Sequence, residues 1–131
     1  FSKAISDART EVDWISTDPE VVDAYRADPA CGQMFTLGAY ASLTALTLEA
    51  TDPKRACLIP KDLPMLFIAG GEDPVGNCGK GVERAAEQYR AAGVLCVDMK
   101  LYDGMRHEIL NEPVKEEVFN DVDCWLRSKG I

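Results

Sequence analysis

Two short apolar segments in the second half of the chain have the patterns of β-strands. Residues 65–69 are wholly apolar, and a proline precedes them while two glycines follow. A run this short and apolar is typical of a strand covered on both faces, as in a parallel sheet. In residues 94–102, by contrast, Val97, Met99 and Leu101 alternate with charged residues. That alternation predicts a strand with one face in water, near the edge of the sheet.

One helix is predicted between the two strands and another after them. In residues 80–92 the apolar residues recur at helical spacing, and Gly93 is a natural C-terminal stop. Pro113 opens the last helix, which has apolar residues along one side. Strand, helix, strand and helix in this order predict a βαβα unit of a parallel sheet with a right-handed crossover.

A sheet of only two parallel strands is predicted to be incomplete. It would leave two open edges and most of its apolar area uncovered. We therefore expect the segment to be the C-terminal part of a larger α/β domain. Its exposed surface is expected to be covered by the rest of that domain or by a second copy in a homo-oligomer.

Residues 1–59 are predicted to be helical, without a strand. Asp18 and Pro19 are a typical helix start, because Asp caps the first free amides and Pro fits the first turn. A second helix is predicted over 36–50, and its apolar residues lie on several sides, which indicates burial between layers or an apolar lid. The pattern changes at residue 60. We therefore divide the chain into a helical cap or lid segment, 1–59, and the α/β part, 60–131.

Composition and charge exclude several classes of function. The 131 residues have a net charge of −8, which argues against binding to nucleic acids or to anionic lipid headgroups. Five cysteines without a Cys-x-x-Cys pair, together with a single histidine, argue against a disulfide scaffold and a zinc site. They favour a reducing compartment, and we expect a cytoplasmic protein. No apolar run reaches the roughly 18 residues of a membrane span, and no signal peptide is visible. Because the first residue is not Met, we expect that the natural N-terminus lies further upstream.

The candidate chemistry lies directly after the two predicted strands. Asp73 follows the first strand and its two glycines, and His107 follows the second. Because ligands and catalytic groups gather at the carboxyl ends of parallel strands, we expect the two side chains to lie together. A carboxylate beside an imidazole fixes its tautomer and stabilises the imidazolium, as in the acid–base half of a nucleophilic triad. A turn-forming Asp and a surface His are the plain alternative, and other carboxylates compete for the histidine: Glu72, Asp103 and Glu108.

Two motifs resemble the catalytic loops of α/β-hydrolases. The segment 63–76 contains Gly-Gly-Glu-Asp-Pro-Val and resembles their acid loop, while 101–112 contains His-Glu-Ile-Leu-Asn-Glu and resembles their histidine loop. The most similar branch is the monoacylglycerol lipase and lysophospholipase-like one, also described as serine-aminopeptidase-like hydrolases. The resemblance implies that Asp73 is the triad acid and His107 the triad base. It also implies an ester or lipid-like substrate and no cofactor. The fold class it implies is α/β, the C-terminal part of an α/β-hydrolase fold preceded by helical cap segments.

The chain departs from this family in its nucleophile. In α/β-hydrolases a serine in a G-x-S-x-G elbow precedes the acid and the histidine. None of the serines of this chain lies in such a motif, and the oxyanion-hole loop is also absent. Cys78 is rejected as a substitute, because it follows the acid in the sequence and a small thiol near a helix start is usually only packed.

Two functions are therefore carried forward. In the first, the chain supplies the Asp and His of a serine hydrolase of carboxylic esters, whose missing N-terminal part carries the Ser. The chain alone would then be inactive, and the cap would line an acyl pocket through Tyr40, Leu43 and Leu46, although these residues would equally form a plain cap core. In the second, the chain is a non-catalytic binding or interaction module derived from a hydrolase.

Overall fold

A computed structural model describes all 131 residues, with a parallel two-stranded sheet at its centre. Met65 pairs with Val97 and Gly70 with Tyr102, so the two strands end in register at their carboxyl ends. Short 3-10 helices lie at Ser2–Ala4 and Ile109–Asn111. In chain order the other elements are α1 (Pro19–Ala27), α2 (Leu37–Ala50), α3 (Pro53–Ala56), β1 (Met65–Gly70), α4 (Lys80–Ala91), β2 (Val97–Tyr102) and α5 (Lys115–Ser128).

Two small clusters of apolar side chains pack on the sheet. Ala86 of α4 is fully buried against Val94 and Val97, with Met65 and Phe67 of β1 beside them. A second cluster joins β2 to the loop after it and to α5, and consists of Tyr102, Met105, Ile109 and Val118. The amphipathic helices predicted around the sheet are thus the ones that cover it.

The second strand is shorter than predicted, because it begins at Val97 and not at Val94. Val94 is buried, but it follows the end of α4, packs against Ala86 in the middle of that helix, and precedes the strand. The amide of Leu95 donates to the carbonyl of Lys61, which belongs to no strand. Val94 is therefore part of the core without pairing in the sheet.

The charged face of β2 does not simply face water, as its alternation predicted, because α5 packs across it. Asp98 accepts hydrogen bonds from Trp125 Nε1 at 2.8 Å and from Lys129 Nζ at 2.9 Å. Lys100 Nζ lies 2.9 Å from a carboxylate oxygen of Glu117 and also bonds to Asp121. Charged strand residues are tolerated under a helix when the helix supplies partners of opposite charge.

The Asp98 contacts predict a specific loss of stability in acid. Hydrogen bonds from Lys129 and Trp125 lower the pKa of Asp98 to about 2. As pH falls from about 4 to about 2, the unfolded state takes up this proton first, so the folded state loses the stabilisation. Because 46% of the Asp98 side chain is exposed, we expect a loss of at most about 1 kcal/mol. Urea unfolding at several pH values should show this loss in the wild type and not in Asp98→Asn, and equal pH dependence in both would contradict it.

The predicted helix α2 forms, but it is not buried between layers within this chain. All of its residues are exposed, including Tyr40, Leu43 and Leu46. The prediction of burial is wrong for this chain, because α2 packs mainly against the short neighbouring helix α3 and meets α4 only across an open cleft near its C-terminal end. The alternative of an apolar lid stays a prediction, as does the division at residue 60. None of the helices combines the length and the hydropathy of a membrane span.

Candidate active site

The loops that follow β1 and β2 are joined directly by their backbones. The amide of Gly71 donates to the carbonyl of Tyr102 at 2.8 Å, and the amide of Glu72 donates to that of Met105 at 2.9 Å. Gly70 permits this close approach, because a Cβ there would lie 2.1 Å from the carbonyl oxygen of Arg106. The acid loop and the histidine loop are therefore neighbours at the carboxyl edge of the sheet.

Asp73 is buried and oriented by its own turn. Only 6% of its surface is exposed. Its Oδ1 accepts a hydrogen bond from the amide of Val75 at 2.8 Å, and its carbonyl accepts one from the amide of Cys78 at the same distance. These bonds hold the carboxylate in one direction and leave Oδ2 for a partner from another loop.

That partner is His107, whose Nδ1 lies 3.0 Å from Asp73 Oδ2. Because a carboxylate only accepts, Nδ1 carries the proton in the neutral ring and Nε2 carries the lone pair. Nε2 makes no hydrogen bond within the chain, and 39% of the His107 side chain is exposed. The expected contact between the two side chains is thus present, with the basic nitrogen free.

A segment of the N-terminal half packs against the other side of the histidine loop. The Trp14 ring centroid lies 5.3 Å from that of His107. The amide of His107 donates to the carbonyl of Trp14 at 3.3 Å, and that of Glu108 donates to Ile15 at 2.7 Å. Arg106 Nη1 reaches the carbonyl of Asp13 at 2.8 Å. His107 is therefore held between Asp73 and a segment about 90 residues earlier in the sequence.

None of the competing carboxylates hydrogen-bonds to the His107 ring. Glu72 and Asp103 are exposed, and the Glu108 side chain accepts a hydrogen bond from Asn111. No serine hydroxyl and no cysteine thiol hydrogen-bonds to the ring, and Cys78 is exposed. No group of three His, Cys, Asp or Glu side chains converges where a metal ion would be held.

Two residues beside this pair were not predicted from the sequence. Glu112 ends the segment 101–112 quoted for the histidine loop, and Trp14 lies in the predicted cap segment, but neither residue received a role. Glu112 is buried, and a buried carboxylate leaves no mark in hydrophobic periodicity. The three predicted acyl-pocket residues are exposed. Leu46 lines a cleft between α2, α3 and α4 that includes Tyr89 and no residue of either loop.

Several known proteins are similar to this chain in sequence and structure. The monoacylglycerol lipase of Mycolicibacterium smegmatis is 34% identical over 121 residues, which are 90% of this chain and 40% of that protein. A highly thermostable carboxyl esterase from Bacillus coagulans, solved in complex with glycerol, is 27% identical with a TM-score of 0.89 over 99% of this chain and 43% of its own. A lipase in its open form is 29% identical with a TM-score of 0.79, over 88% and 38%. The chain thus spans about two fifths of the length of these relatives.

These similarities confirm the predicted fold class and the resemblance. The structural neighbours are an esterase and a lipase, and the βαβα unit superposes on part of their α/β folds. The family model described as serine aminopeptidase, S33 matches residues 2–114. This chain belongs to the serine aminopeptidase S33 family of α/β-hydrolases.

Proposed function

We propose that this chain supplies the acid and the base of a Ser-Asp-His triad in a hydrolase of carboxylic esters. The observation that carries the proposal is the hydrogen bond from His107 Nδ1 to the buried Asp73, which leaves Nε2 free. The similarity to a monoacylglycerol lipase and to a carboxyl esterase supports an ester substrate with an acyl or lipid-like part. Neither residue requires a cofactor for this role.

In the proposed reaction His107 moves a proton at each of two steps. A serine hydroxyl from another part of the protein attacks the ester carbonyl, and His107 Nε2 takes up the hydroxyl proton. The imidazolium then donates this proton to the leaving alcohol, and the acyl-enzyme is hydrolysed by water in the same sequence of transfers. Asp73 holds the ring and stabilises its positive charge throughout.

The proposal makes the rest of the hydrolase the main partner of this chain. The serine elbow and oxyanion hole would come from an N-terminal part of the protein, and the matched region is only about two fifths of the relatives' length. In the complete protein, the exposed helix α2 would line part of the acyl pocket through Tyr40, Leu43 and Leu46. The five free cysteines support a reducing, cytoplasmic location. Formation of a homo-oligomer stays a prediction from the incomplete sheet.

Hydrolysis of p-nitrophenyl butyrate by two forms of the protein tests the proposal. The 131-residue chain alone should show no turnover above buffer, because its His107 has no nucleophile to activate. The full-length natural protein should hydrolyse the ester, and His107→Ala should lower its kcat at least about 10³-fold.

Two results would overturn parts of this proposal. Turnover by the isolated chain that His107→Ala abolishes would contradict the idea of an incomplete site. A folded full-length protein without hydrolysis of acyl esters of any chain length would favour the non-catalytic binding module.

A further inference from the structure

Glu112 is a buried carboxylate that the proposed reaction does not use. Only 1% of its surface is exposed, although it lies at the end of the histidine loop, five residues after His107. Buried carboxylates require several donors to replace the water they lose. Here the donors come from two segments that are far apart in the sequence.

One group of donors belongs to the N-terminal half of the chain. The amide of Thr17 donates to Glu112 at 3.1 Å from Oε1 and 3.0 Å from Oε2. The Ser16 hydroxyl lies 3.2 Å from Oε2, and the Thr17 hydroxyl also bonds to Oε2. The same segment accepts the amides of His107 and Glu108 through its carbonyls.

The other donor is the amide of Arg106, which lies 2.7 Å from Glu112 Oε1. This amide belongs to the residue directly before His107. The carboxylate thus ties the start of the histidine loop to residues 16 and 17. The loop is thus held at two neighbouring residues, at His107 by Asp73 and at Arg106 by Glu112.

We propose that Glu112 is a positioning residue, which keeps the His107 imidazole within reach of Asp73 by bridging the Arg106 amide to residues 16 and 17. The inference rests on the proposed function for its effect on turnover. The bridge depends on the length of the side chain, because the same carboxylate oxygen, Oε1, must accept hydrogen bonds from the amides of both Arg106 and Thr17. Its negative charge is secondary, because the groups around Oε2 include two hydroxyls, which accept as readily as they donate.

Two substitutions of Glu112 separate the effect of side-chain length from the effect of charge. Glu112→Gln keeps the length of the side chain: its carbonyl oxygen can accept both amides while its NH₂ group donates to the hydroxyls of Ser16 and Thr17. Glu112→Asp keeps the charge but is one methylene shorter, so it cannot meet both amides. Glu116→Ala is the matched control, because Glu116 is an exposed carboxylate four residues further along.

The kinetic test compares these variants in the full-length protein. We expect Glu112→Asp to lower kcat about tenfold or more, because a misplaced catalytic group loses its alignment, with KM nearly unchanged. Glu112→Gln should stay within about threefold of wild type, since it retains the bridge, and Glu116→Ala should equal wild type. Wild-type kcat in folded Glu112→Asp, or equal losses in both Glu112 variants, would overturn the inference.

A second measurement needs no activity. In the full-length protein, the low-field NMR signal of the hydrogen-bonded His107 Nδ1 proton is identified as the signal that His107→Ala removes. We expect this signal in the wild-type protein and in Glu112→Gln, and its loss or exchange broadening in Glu112→Asp. An unchanged signal in Glu112→Asp would contradict the role of Glu112. An inactive wild-type protein would instead contradict the proposed function, and the NMR comparison would still decide on Glu112.

Discussion

Replacing Asp73 by Asn in the full-length protein should lower kcat by about 10⁴-fold and leave KM nearly unchanged. The Asp73 carboxylate accepts the Nδ1 proton of His107 at 3.0 Å. An Asn side chain presented through its NH₂ group would donate instead, which favours the tautomer with the proton on Nε2. Such a ring cannot take the serine proton, and its imidazolium loses the neighbouring charge. Steady-state kinetics with p-nitrophenyl esters would measure both constants.

Glu72→Gln is the matched control for this experiment. Glu72 is the adjacent carboxylate, but its side chain is exposed and makes no hydrogen bond to the His107 ring. We expect its kcat to stay within a few-fold of wild type. A loss in Glu72→Gln as large as that in Asp73→Asn would show that the acid is assigned to the wrong residue, even if the protein is a hydrolase.

Gly70→Ala should both destabilise the protein and abolish its activity. A Cβ at Gly70 would lie 2.1 Å from the carbonyl oxygen of Arg106 and 2.3 Å from that of Met105. Both atoms are backbone, so the histidine loop has to move as a whole. Because overpacking against a fixed backbone costs the most, we expect a loss of about 3 kcal/mol in the free energy of unfolding. Urea unfolding and ester hydrolysis of the variant would measure the two effects.

Gly38→Ala provides the comparison. This glycine lies in α2, and a Cβ there would lie 3.9 Å from the nearest atom, the hydroxyl of Thr36. Ala is a better helix former than Gly, so we expect equal stability or a gain of up to about 1 kcal/mol. Equal unfolding free energies for Gly70→Ala and the wild type would contradict the close approach of the two loops.

The sequence by itself determined the order of the main elements and the place of the two chemical groups. The apolar run before Gly70 and the helical spacing after Lys80 are local patterns, and local patterns set secondary structure. Two parallel strands joined by one helix bring their carboxyl ends to the same edge of a sheet. Asp73 and His107 follow those ends, so their meeting was predictable from the order of the elements.

Only the tertiary structure decided what surrounds this pair. Glu112 meets Thr17, which is 95 residues away in the sequence, and no periodicity relates two such positions. The alternating charged residues of β2 predicted a face in water, although α5 covers that face. A local pattern does not show their partners on α5, because these lie far away in the sequence. The apolar residues of α2 indicated burial, yet they are exposed in this chain, because burial depends on which surface packs against a helix. Local patterns determine which elements form. Contacts between distant segments determine which groups pair with a buried charge and whether an apolar helix face is covered.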